Sequence, residues 1–208
     1  MDPSTRGVGL LRRLVVAPIQ FDYIKDGKHW EEKEQSIKKQ WREQIRALLQ
    51  DQRGYEVELL DIYEDMYPEK LGLTAEEVST YCRSLAAWAL KSSEGEKPPE
   101  SVAEMAGKLG RPLNVDGILL IQGINNPSGT ALNVLTVATI FATAPFAIAN
   151  SKFYLEADVI EVATGRVVWR NRHQEHQILF EDEPRWLSLY GSMILKPIEP
   201  AIPRVLTK

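Results

Sequence analysis

The chain has 208 residues, 44% of them apolar and 26% charged, and a formal net charge of −4. These values are ordinary for a globular domain with a sizeable core, and without a long run of basic residues they exclude nucleic acid as the main partner, because phosphate neutralisation needs a clustered positive surface. The single cysteine, Cys82, permits no intramolecular disulfide; in an apolar helical pattern it reads as a small buried hydrophobe.

Residues 1–12 read as an amino-terminal tail. Val8 to Leu11 is too short for the apolar part of an export signal and runs straight into Arg12 and Arg13. A single α/β domain is expected over 13–180. Arg13 to Ile19 is a short run rich in β-branched residues that ends near Pro18, the pattern of a buried strand. A polar loop through Lys25-Asp26-Gly27 follows. Glu34 to Leu49 has the period of a helix, with Ile37, Trp41, Ile45, Leu48 and Leu49 on one face and Gly54 as its stop. Tyr55 to Leu59 alternates as a second strand, so the helix is a crossover between parallel strands.

Thr74-Ala75-Glu76-Glu77 has the form of a capping box and opens a helix to about Leu90. After a polar break at 92–99, a shorter helix runs from Pro99 to Leu109. Val115 to Gln122 is apolar on both faces, as a central strand should be. Phe153 to Val162 and Val167 to Arg172 form a hairpin around Ala163-Thr164-Gly165. On the first of these strands Phe153, Leu155, Ala157 and Val159 face the core, while Tyr154, Glu156 and Asp158 are expected on a partly wet face. The fold class is therefore α/β, a mixed sheet of about five strands with flanking helices. Residues 181–208 form a proline-interrupted carboxyl-terminal extension.

One segment departs from a plain soluble pattern. No charged residue occurs from Gly117 to Ser151. Within it Thr130 to Ala149 approaches the length that spans a bilayer, but Asn133, Thr136, Thr139 and Thr143 put a weakly polar stripe on it and Pro145 interrupts it. The reading is an apolar helical insertion, 128–150, ahead of the carboxyl-terminal hairpin. Three environments remain open: the fold's core or a self-association interface, a membrane-contacting hairpin, or a surface for a partner protein.

The search for chemistry returns no catalytic constellation. His173 and His176 point to opposite faces of a strand, which does not suit a metal, and His29 stands without a cysteine pair for zinc. The glycines match neither the dinucleotide fingerprint nor the P-loop, and no Gly-x-Ser-x-Gly occurs. Glu31, Glu32 and Glu34 read as the solvated start of a helix. Arg166, Arg170 and Arg172 read as a solvated strand face. Trp41 and Trp169 read as core, Trp30 and Trp186 as exposed contact points. No catalytic residue, cofactor or metal ligand is assigned. A competing reading puts a small molecule or nucleotide at the carboxyl ends of the strands, near Pro18 to Tyr23, Asp61, and Gln122 to Asn126.

The strand ending in Ala17-Pro18, the later Val115-Asp116-Gly117-Ile118, and above all the turn Thr164-Gly165-Arg166-Val167-Val168-Trp169 resemble the envelope lipoproteins whose fold is similar to the amino-terminal domain of TolB. That group includes CsgG, LpoB, PelC and small Neisseria-type surface lipoproteins. The resemblance covers about 13–180 and departs from the group in lacking the lipobox cysteine. It implies a non-catalytic structural or adaptor role at the periplasmic face of the outer membrane, through oligomerisation or docking onto an envelope protein partner. Membrane contact through 130–149 fits the same picture. The candidate contacts are Leu132, Leu135, Ile140 and Phe141 on the apolar side of the insertion, and Phe146 beyond Pro145.

Overall fold

The computed structural model describes residues 11–25, 28–52, 54–60, 66–125 and 153–175. The insertion with its five candidate contacts, Asp61, Trp186 and the carboxyl-terminal extension lie outside them.

The described residues form a mixed seven-stranded sheet between two helical layers. β1 (Arg13–Val16) runs parallel to β4 (Glu56–Leu59) on one side and to β5 (Gly117–Asn125) on the other. β2 (Gln20–Lys25) continues past the Ala17-Pro18-Ile19 break and pairs with the far half of β5, Gln20 opposite Gln122 and Tyr23 opposite Asn125. One position in the sheet is thus filled by two strands joined at a proline, which has no N–H to give to a ladder. β3 (Lys28–His29) folds back on β2. β6 (Phe153–Glu161) lies antiparallel to β5 along all nine residues, and β7 (Val167–Glu175) closes that side.

The expected mixed α/β sheet is present, with seven strands instead of about five. The residues read as a polar loop belong in part to β2 and β3. Gln20 to Tyr23 does alternate polar with apolar, but over only four residues before the polar Lys25-Asp26-Gly27, too short a run to stand out as a strand. The short α2 (Met66–Leu71) does not show in the sequence, because six residues are too few for a helical period.

α1 (Glu31–Ala47) and a π-helical turn, Leu48–Gln52, cover one face of the sheet. Ile37, Trp41, Ile45 and Leu49 pack on Leu14, Val16, Phe21, Leu119, Ile121 and Trp169. The Trp41 ring meets Phe21 edge-on at 4.7 Å. The chain leaves this helix through Gly54, whose φ of 79° few other residues adopt. On the other face α3 (Ala75–Lys91) and α4 (Glu100–Gly110) bury Val78, Cys82, Leu85, Ala89, Val102, Ala106 and Leu109 against Val15, Ile118, Leu120 and Ile160. The capping box at Thr74 is complete: its hydroxyl accepts from Glu77 N, and the Glu77 carboxylate accepts from Thr74 N. Cys82 is buried, and burial pushes its thiol up to about 12.

The two motifs behind the resemblance each do identifiable structural work. The Asp116 carboxylate accepts hydrogen bonds from the backbone N–H of Arg12 and Arg13, fixing the start of β1 beside β5. At the hairpin, Thr164 Oγ1 donates to Glu161 and accepts from Arg166 N. Gly165 sits at φ 72°, where an added Cβ would lie 2.7 Å from the Ala103 backbone of α4. A bulge follows, with Val159 opposite Trp169 and Ile160 opposite Val167. The extra residue lets Val167 face the α3–α4 layer and Trp169 the α1 layer, although they are two apart. Gly165→Ala should therefore destabilise the protein by about 1–3 kcal/mol through backbone strain and contact with α4. The midpoint of urea unfolding reads this; an unchanged midpoint would contradict the close approach.

Candidate functional site

The densest polar arrangement in the described residues lies where β6 and β7 pass beneath the carboxyl end of α3. Cross-strand pairing puts Asp158 opposite Arg170 and Glu156 opposite Arg172. Asp158 and Glu156 are fully buried. Arg170 Nε stands 2.6 Å from Asp158 Oδ1 and 2.9 Å from Glu156 Oε1; Arg172 Nε is 3.0 Å from Glu156 Oε2. The same guanidinium groups reach up to α3. Arg170 donates to Ala89 O and, at 2.5 Å, to Ser92 O, while Arg172 donates to Leu90 O at 3.3 Å. These carbonyls lie at the carboxyl end of α3, the negative end of the helix dipole, where Ala89 O also accepts from Ser92 N. Tyr154 donates its hydroxyl to Glu156. On neighbouring β5, Gln122 donates to Ala86 O.

Burial, and then the neighbouring Glu156, raise the Asp158 carboxyl to about 8. Asp158 Oδ2 has no hydrogen-bond partner among the described residues. Burial and then Glu156 also hold the Tyr154 hydroxyl well above its usual value. The cluster is a cross-braced lock between sheet and helix: its cations are shared among carboxylates and helix carbonyls.

This corrects two expectations. Of the three arginines read as a solvated face, Arg166 and Arg172 are exposed but Arg170 is largely covered, and the polar side of β6 is not wet, because α3 and α4 cover the sheet there. The turn at Thr164-Gly165 together with the bulge beside Val159/Ile160 sets 158 against 170 and 156 against 172.

A second cluster occupies the other end of the chain. Asp22 on β2, His29 on β3 and Glu34 in the first turn of α1 bring one ligand atom each within 4.8 Å of one another. His29 Nδ1 lies 3.1 Å from Glu34 Oε1 and 3.9 Å from Asp22 Oδ1. Glu34 Oε1 accepts from Tyr23 N, and Trp30 N donates to Tyr23 O, so backbone bonds frame the cluster. Lys38 Nζ stands 3.8 Å from Glu34 Oε2. Burial, followed by Glu34, raises the Asp22 carboxyl to about 6. Glu34 is thus buried, unlike its neighbours Glu31 and Glu32, against the solvated reading. Trp30 is half-buried and stacks edge-on with Tyr23 at 5.8 Å, so it is not an exposed contact point.

Of the residues in the competing ligand reading, Asp61 and Asn126 lie outside the described residues, and two of the others are built into the fold. Gln122 lies beneath α3 and Tyr23 in the α1 core. An open groove of about 570 Å³ lies at the amino ends of β1 and β4 instead, lined by Arg13, Gln50, Asp51, Tyr55, Glu56 and Glu58 among others.

Arg170→Met would leave Glu156 and Asp158 buried without their shared cation. We expect a loss of about 3–5 kcal/mol in urea unfolding and faster hydrogen exchange in the last turn of α3. In the unfolded chain Asp158 titrates near 3.8, in the folded one near 8. Between these values the folded state holds a proton that the unfolded state has released. The stability this contributes is complete below about pH 4 and is lost as pH rises through 8. Between pH 6 and pH 8 the protein should weaken by on the order of 1 kcal/mol per pH unit. In Asp158→Asn that slope should flatten; an equal slope in both proteins would place the titration elsewhere.

No protein-family model and no curated protein matches the sequence. Among solved structures the chain is similar to the carboxyl-terminal domain of LpoB from Salmonella enterica, at TM-score 0.39 and 14% identity over 80% of this chain and 83% of that one. It is similar to lipoprotein GNA1162 from Neisseria meningitidis, at TM-score 0.41 and 12% identity over 90% of this chain and 96% of that one. It is also similar to a PelC dodecamer from Paraburkholderia phytofirmans, at TM-score 0.39 and 10% identity over 90% of this chain and 88% of that one. All three are proteins of the envelope lipoprotein-like group that the Asp116 and Thr164-Gly165 motifs resemble.

Proposed function

We propose that this chain is a non-catalytic structural or adaptor component of a bacterial cell-envelope assembly, at the outer membrane or in the periplasm, and that it acts by self-association or by docking onto a protein partner through residues 126–152. One observation carries the docking part. β5 and β6 are antiparallel neighbours whose ends are in register, Asn125 directly opposite Phe153. Two residues suffice to join strands so placed. The chain spends 27 residues there, and Lys152 is their only charge. A connection that closure does not require, and that is almost free of charge, is suited to burial against something. The candidate contacts are Leu132, Leu135, Ile140, Phe141 and Phe146.

The buried chemistry favours the non-catalytic part. The ionisable groups beneath α3 are committed to one another and to helix carbonyls. The envelope setting is supported by the sequence resemblance at Val115-Asp116-Gly117 and Thr164 to Trp169. Contact of 130–149 with a bilayer is a competing occupant for the same surface; among the described residues no helix is long and apolar enough to cross a membrane.

Replacing 126–152 by Asn-Gly should leave a folded protein, since Asn125 and Phe153 are already paired. Light scattering should then show the intact chain as an oligomer and the shortened one as a monomer, with Leu135→Asp plus Phe141→Asp giving the same result at full length. An intact chain that is monomeric and binds no envelope protein, or a shortened chain that cannot fold, would overturn the reading. Liposome binding by an otherwise monomeric chain would favour the bilayer.

A further inference from the structure

We propose that Asp22, His29 and Glu34 form a binding site for a divalent transition-metal ion of the zinc class, which joins the β2–β3 hairpin to the start of α1.

The three side chains offer one imidazole nitrogen and two carboxylate oxygens, a donor set that zinc and its first-row neighbours accept. They come from three consecutive elements within 13 residues, so the site depends on local folding alone. The backbone bonds Trp30 N to Tyr23 O and Tyr23 N to Glu34 Oε1 hold those elements in place. Ligand atoms around one tetrahedral zinc at about 2.0–2.1 Å lie about 3.3 Å apart. His29 Nδ1 and Glu34 Oε1 are already 3.1 Å apart, and Asp22 Oδ1 is 3.9 Å from that nitrogen. A rotation of the Asp22 carboxyl closes the remainder.

The independent pointer to a cation is Asp22 itself. Its side chain is 5% exposed, and its oxygen faces the cluster. Among the described residues the carboxylate receives no hydrogen bond, and the imidazole at 3.9 Å is its only close partner. A buried carboxylate left this way is costly, and it is usually paired or coordinates a metal. The one nearby lysine, Lys38, stands against Glu34 Oε2 and not against Asp22. Access exists, because the His29 side chain is 32% exposed. With three protein ligands, a tetrahedral ion would keep one position for water or a ligand from outside.

The inference does not rest on the docking proposal and is tested apart from it. Titration of the metal-free 208-residue protein with Zn²⁺ against a chromophoric chelator should give one tight site per chain, and Co²⁺ should produce visible absorption bands. His29→Gln and Asp22→Asn should each weaken Zn²⁺ binding by at least about tenfold and abolish the cobalt spectrum. A His173→Ala plus His176→Ala protein should keep both. If Asp22→Asn fails to fold by circular dichroism, the partly exposed His29→Gln decides. Absence of a tight site in the unaltered chain, or a site that survives His29→Gln, overturns the proposal.

Discussion

Two guanidinium groups on the last described strand hold the sheet to its helical cover. Arg170 and Arg172 meet two carboxylates on β6 from one side and carbonyls at the end of α3 from the other. The buried carboxylates and the largely covered Arg170 would each be a liability alone. Together they close a circuit in which every charge has a partner, apart from the second oxygen of Asp158. Such a cluster is weak evidence for net stability, because desolvation offsets most of the attraction. What it supplies here is a register. A slip of β7 by one residue along β6 would turn both arginines toward α1 and Trp169 toward α3. Only one alignment places opposite charges face to face and the indole in the core.

Much of this architecture is written in local patterns. The apolar stripe Ile37, Trp41, Ile45 and the Thr74–Glu77 capping box each specify their helix without help from the rest of the chain. Val115 to Ile121, apolar on both faces, announces a central strand. What escaped the pattern did so for physical reasons. β2 alternates over only four residues beside a polar loop, and β3 has only two residues, so neither offers a run long enough to read. The polar side of β6 looks wet because alternation identifies a polar face but not what lies above it. Only the placement of α3 by its own apolar face shows that the carboxylates are covered. The candidate site was thus legible as charges in register and illegible as buried charges. Asp22, His29 and Glu34 were hidden differently: their meeting depends on a hairpin of two short strands that the sequence does not advertise.

The sheet's own edges constrain how the protein meets others. β4 pairs with β1 on one side, and no described strand pairs with its other edge. That edge bears Glu56 and Glu58, tied to Arg13 and Lys70. Glu56 is 75% exposed at its side chain. A short, charged edge strand disfavours addition of another strand, since an incoming chain would have to displace these charges from water. Association by extending the sheet at β4 is therefore opposed by the residues themselves.

The two helical faces are closed as well, one by α1 and the other by α3 and α4, with aromatic and aliphatic side chains buried on both. A molecule so covered has little described apolar surface with which to bind a partner. The uncharged stretch between β5 and β6 leaves from the one place where the sheet's geometry asks for almost no chain at all. Its base adjoins the end of β2, because Tyr23 pairs with Asn125. The Asp22–His29–Glu34 cluster is one residue away along that strand. The rigid end of the sheet, the proposed metal site and the root of the proposed contact segment therefore share one edge of the domain. An ion that stiffened the β2–β3 hairpin would stiffen the platform from which that segment departs, and a better-ordered platform lowers the entropy lost when a surface docks.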